Sequence, residues 1–214
     1  MKFSNVLVSF FLLSNIAFAN VLNVETSDKT IEGVKVARSA VLPTANGDVK
    51  LDFIGAGLRT KKVLVANVKV YVAQVLVDNA GKFVRTNEGA MKSMEDMNTI
   101  AFTLTFLRDV DGATVMKSFE DSFDANNVDL DNAGIKAFLN AVKVSGQADN
   151  GKTMSIVVRK LENNTAEITY EATNGKTTKV TGDVSVFNGI ASIWLGASAD
   201  AGLATLKSNI LKGE

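Results

Sequence analysis

"DFIGAGLRTKKVLVANVKVYVAQVLVDN", residues 52–79, decides how this chain folds. Valine recurs through it, with Lys61, Lys62, Asn67, Lys69 and Gln74 interleaved, the signature of β-structure. Read as one strand, "KKVLVANVKVYVAQVLVD" is too long to stay flat, which predicts a bend or bulge near Ala66-Asn67. Upstream sits Gly55-Ala56-Gly57, followed by Arg59. A dinucleotide loop needs a third glycine and an opening helix. Here Leu58-Arg59-Thr60 leads into more strand, so the glycines read as a bulge or a tight bend between strands. Two small residues then allow a close turn and set the direction of Arg59. That arginine is either one of a solvated basic group with Lys61 and Lys62, or it is placed to meet something negative. Alternation puts Lys61 on its face but leaves open which face is the core.

Working outward, Val49, Leu51 and Phe53 alternate into the glycine stretch, and "TANGD" before them is a turn. Two short strands, "VLNVE" and "EGVKVAR", are expected between Val21 and Ala45. Downstream, "TNEGAMKSMEDM" reads as a short helix. In the strand "TIAFTLTFL", Thr99, Ala101, Thr103 and Thr105 share one face, and Ile100, Phe102, Leu104 and Phe106 the other. From Val110 to Asn127 the period becomes helical, with Val115, Phe119 and Phe123 four apart. Ile135, Phe138, Leu139 and Val142 mark a second helix, with Asp131 as its expected N-cap. "TMSIVVRKL", "AEITYEA" and "KTTKVTG" form an antiparallel meander through turns at Asn163-Asn164 and Asn174-Gly175. Two helices close the chain. Trp194 lies on the inner face of the first with Phe187 and Ile190, and Ser198 is the expected cap of the second. Strands, helices, strands, helices predict an α+β fold: one domain, with helices on one side of an antiparallel sheet.

The 214 residues carry 23 basic and 23 acidic side chains, with no run that suggests nucleic acid. The chain has no cysteine and no histidine, which excludes disulfides, Cys/His zinc sites, Cys nucleophiles and Ser-His-Asp triads. Asp109, Asp111, Asp121, Asp124, Asp129 and Asp131 do not follow calcium-loop spacing and read as helix-end charges and caps. No cofactor or metal is expected. Asn163-Asn164-Thr165 matches a glycosylation sequon but is better explained by the hairpin. Lys2, the apolar run "VLVSFFLLSNIAFA" and Ala17-Phe18-Ala19 read as a signal peptide over residues 1–19, cut after Ala19. The run is short of the roughly 20 residues that span a bilayer. Residues 20–214 are then expected to be periplasmic or secreted, without a membrane span.

"FIGAGLRTKKVLVANVKVYVAQVLVDN", "GIKAFLNAV" and "SIWLGASADAGLATLK" together resemble the chalcone isomerase family, from roughly Val49 to Lys212, and look closest to its bacterial members with export signals. The resemblance implies an open-faced β-sandwich: a large curved antiparallel sheet backed by helices, with a ligand cleft between. Some members cyclise chalcones, some bind fatty acids, and some are non-catalytic. Arg59 falls on the arginine that holds the substrate oxygen or the fatty-acid carboxylate. Tyr71 stands where the enzymes have a threonine, and resembles the fatty-acid-binding branch. The head of the Val110 helix offers neither the enzymes' tyrosine nor, before Asn126, their asparagine, and their late hydroxyl falls on Ile193. The resemblance therefore implies an exported, non-catalytic binder of a small amphipathic anion such as a fatty acid, held by Arg59 and Tyr71. An isomerase or lyase acting on an enone, and an envelope protein with a vestigial cleft, are the alternatives.

Overall fold

The computed structural model of the protein describes residues 20–213. The signal-peptide reading falls on residues 1–19, outside the described residues. The described chain forms one antiparallel sheet whose strands lie side by side in sequence order. They are β1 (Asn23–Ile31), β2 (Val34–Leu42), β3 (Val49–Val63), β4 (Ala66–Val77), β5 (Thr99–Phe106), β6 (Thr153–Leu161), β7 (Thr165–Glu171) and β8 (Thr177–Asp183). Five helices accompany it: α1 (Gly89–Lys92), α2 (Gly112–Ala125), α3 (Ala133–Val144), α4 (Ser185–Leu195) and α5 (Ala201–Lys212).

The alternation of β5 sorts the layers. Ile100, Phe102, Leu104 and Phe106 join the main core with Val115, Phe119 and Phe123 of α2 and Ile135, Phe138 and Val142 of α3. Phe102 stacks on Trp194 of α4, centroids 4.3 Å apart. Ala101 faces the other way, into a smaller cluster with Leu22, Ala37, Leu42, Leu76 and Val157. That cluster exists because only the end of β2, Ser39 to Leu42, pairs with β3, while its earlier half lies over the second face, where Ala37 and Lys35 meet Gln74. There the Gln74 side chain accepts from the Ala37 amide at 2.6 Å and donates to the Lys35 carbonyl at 3.2 Å.

Four local readings need correction. The valine-rich stretch is two strands, reversing at Leu64-Val65, and does not bend at Ala66-Asn67. Pairing runs from Asp52↔Val77 to Val63↔Ala66, so the long ladder imposes the reversal where no turn residue asks for it. Leu64 accordingly sits at φ 54°, unusual for leucine. Gly55 and Gly57 make no turn between strands, because β3 runs straight through them. A bulge does lie beside them, between Phe53 and Gly55, and another follows Arg59. The glycines let α5 lie directly on β3: a Cβ on Gly55 would overlap the Ile210 backbone, and one on Gly57 would come within 2.8 Å of Leu206. The cap of α3 is Asn132, which accepts from Gly134 and Ile135. Asp131 is instead ion-paired with Lys136 at 2.7 Å. The cap of α5 is Asp200, two residues beyond Ser198.

Candidate functional site

Between α2 and the β3–β4 hairpin lies a cleft of about 790 Å³. Val68, Val70, Phe106, Val115 and Phe119 supply its apolar wall. Arg59 and Tyr71 also line it, directly opposite each other in the β3–β4 register. The two residues named from the sequence are thus brought together, and Arg59 is buried at 2% exposure, Tyr71 at 6%. Lys61 shares the face of Arg59 as expected, because both reach one carboxylate.

That carboxylate belongs to Asp200. Its Oδ1 accepts from Arg59 Nη1 at 2.8 Å and its Oδ2 from Nη2 at 2.7 Å, a parallel fork. Arg59 Nη1 also donates to the Thr60 carbonyl. Lys61 Nζ donates to Asp200 Oδ2 at 2.8 Å, and the Leu203 amide donates to Oδ1 at 3.0 Å, capping α5. Gly202 makes this approach possible, since a Cβ there would overlap both the Thr60 carbonyl and the Arg59 guanidinium. Arg59 therefore does meet something negative, and the chain itself provides it. Reasoning from the sequence missed Asp200. Its signal was present: an aspartate two residues before a glycine-leucine helix start is as good an N-cap as Ser198.

Partial burial pushes the Asp200 carboxyl up, but hydrogen bonds from Arg59 and Lys61 outweigh it and hold the group well below the usual carboxylate range. A depressed folded-state value stabilises the fold above the unfolded value and loses that stabilisation as pH falls through the folded one. Stability should therefore drop as pH falls below about 4. Thermal melts between pH 6 and pH 2 should show a shallower acid loss in Asp200→Asn than in wild type, and identical slopes would refute the assignment.

Burial pushes the Tyr71 hydroxyl above its ordinary value, against the opposing charge of Arg59. The tyrosine is neutral at physiological pH. Its oxygen accepts from Trp194 Nε1 at 3.3 Å, which leaves its own O–H available as a donor. Arg108, exposed at the cleft mouth, and Lys117 of α2 are further lining cations that the sequence did not single out. Ile193 is buried, and the neighbouring Ser192 hydroxyl donates back to the Gly189 carbonyl at 2.7 Å. At the head of α2 the Thr114 hydroxyl is bound to Asp111, 2.6 Å away.

The fold resembles that of a fatty-acid binding protein of Arabidopsis thaliana, with a TM-score of 0.62 at 18% identity, covering 87% of this chain and 96% of that one. None of the curated proteins matches the chain. The profile of the chalcone isomerase-like family matches residues 28–212. With the single curved antiparallel sheet, its helical layer on one face and the cleft between them, that match over most of the sequence means the chain belongs to the chalcone isomerase-like family.

Proposed function

We propose that the protein is an exported, non-catalytic binder of a small amphipathic anion, most simply a fatty acid, held in the cleft between α2 and the β3–β4 hairpin. One observation carries the reading: an apolar cleft of about 790 Å³ ends on the buried Arg59–Tyr71 pair. This volume is within the range of small-molecule sites, roughly 300–1,000 Å³. The likeness to the Arabidopsis fatty-acid binding protein supports it. About ten buried methylenes contribute on the order of 8 kcal/mol. Association costs roughly 4–15 kcal/mol, so the head-group contacts decide whether binding is measurable. Tyr71 offers its O–H, Lys61 and Arg108 offer charge, and Arg59 engages the ligand to the extent that Asp200 yields its fork.

Titration of a fluorescent fatty acid tests this. Tyr71→Phe and Arg59→Ala should each weaken binding about tenfold or more, the size of one lost charge-assisted or buried hydrogen bond. Arg59→Lys should recover only part of it, because an ammonium cannot form two parallel bonds. Lys62→Ala should bind as wild type, since Lys62 is exposed and outside the cleft lining. Wild-type affinity in Arg59→Ala would sink the reading. The export half rests on Lys2, the apolar run and Ala17-Phe18-Ala19. N-terminal sequencing of protein isolated from its native cells should begin at Asn20, and a mature chain beginning at Met1 would refute it.

A further inference from the structure

On the face of the sheet away from the helices is a second cavity, of about 760 Å³, which the fatty-acid reading does not use. A row of polar side chains crosses its floor. Gln74, Thr103, Ser155 and Glu171 are register partners on the consecutive strands β4 to β7. Each is buried, with exposures of 5%, 5%, 6% and 7%. Gln74 is committed to the backbone of β2. Glu171 is the one charge in the row. Its hydrogen bond, from the Val21 amide to Oε2, is 3.3 Å long, and no Lys or Arg of the described residues is ion-paired with it. A carboxylate that buried is costly unless a cation meets it.

Asn20 lies at the rim of the same cavity, one residue before the amide that Glu171 already holds. Its nitrogen is thus no more than about 4 Å of chain upstream of the Val21 nitrogen. In a chain that continues upstream, this nitrogen is a neutral amide. In a chain cut between Ala19 and Asn20 it is an α-ammonium, with an ordinary pKa of roughly 7.7–8.0. We propose that Glu171 is the binding site for the α-ammonium of Asn20 created when the leader is removed. The pair closes the N-terminal end of the β1–β2 layer onto the second face of the sheet, so that processing itself completes the fold. Leu22, buried in the smaller cluster, anchors the same segment two residues on. This inference rests on the cleavage position in the export reading, and its test is independent of that reading.

The test compares three proteins: residues 20–214 with a free amine at Asn20, the same chain acetylated there, and the free-amine chain carrying Glu171→Gln. All described elements lie within these residues. The glutamine keeps an oxygen for the Val21 amide and removes only the charge. The free-amine protein should melt about 2–4 °C above the acetylated one, and acetylation should make no difference in Glu171→Gln. Should Glu171→Gln fail to fold, the wild-type amine gives the answer alone. At pH 7 it should be acylated about tenfold more slowly in the folded protein than in denaturant, as expected for an amine held as its cation. Equal melting of free and acetylated proteins, or an unprotected amine, would overturn the proposal. Cleavage found at another bond in native protein would instead overturn the export position and leave the measured affinity of Glu171 for the amine intact.

Discussion

Asp200→Asn should destabilise the unliganded protein by about 3 kcal/mol, whereas Arg59→Ala should cost clearly less. The asymmetry follows from where each partner sits. The Arg59 side chain is 3% exposed and the Asp200 side chain 27%. Asparagine caps a helix about as well as aspartate, so Asp200→Asn leaves α5 started and removes only the charge. What remains is a buried guanidinium with no counter-ion, the costly outcome. Arg59→Ala leaves Asp200 with Lys61, at the edge of solvent, and removes the buried charge altogether. The double variant Arg59→Met with Asp200→Asn should return close to wild-type stability, because an apolar side chain of similar length replaces a desolvated ion pair. Denaturant titration of wild type, the two single variants and the double variant ranks their stabilities. The reverse ordering, with Arg59→Ala the worse single change, would show that the pair does not hold α5 in the way described. In Asp200→Asn, and not in Arg59→Ala, ligand affinity should move oppositely to stability. With its resident carboxylate gone, the Arg59 fork is open, and a fatty carboxylate should bind Asp200→Asn about tenfold more tightly than wild type.

The second large effect is expected far from any charge. Gly55→Val should cost about 3–5 kcal/mol, at the upper end for a single substitution. The clash is with the backbone of Ile210 and cannot be relieved by rotating a side chain. The whole of α5 must lift off β3, and Leu206 and Ile210, fully buried beneath it, open to water. Since α5 begins at Asp200, its displacement should also weaken ligand binding in the cleft. Gly81→Ala is the matched control, because a Cβ there meets nothing within 4 Å, and it should change stability by no more than about 0.5 kcal/mol. Gly55→Val with wild-type stability would mean that the helix does not rest on the strand.

Much of the architecture was legible because its signals are local. The two faces of β5, the buried stripe of α2 at Val115, Phe119 and Phe123, and the Asn163-Asn164 hairpin each depend on a period or a turn residue within a few positions. In the hairpin both asparagines take φ 59°, as that turn requires. The order of elements then fixed the class, helices against one side of an antiparallel sheet. Arg59 and Tyr71 were named through a family resemblance, since spacing alone did not say which face of the strand was core. Three things were decided only by tertiary structure. The reversal at Leu64-Val65 comes from the length of the β3–β4 ladder, which outweighs the preference of leucine for other backbone angles. The glycines at 55 and 57 answer to a helix packed on them from the far end of the chain, a contact that imitates a turn signal in the sequence. The negative partner of Arg59 is 141 residues away. A hydrophobic period reports whether a side chain faces inward, but which charge it meets there depends on how the chain closes, and no local pattern encodes that.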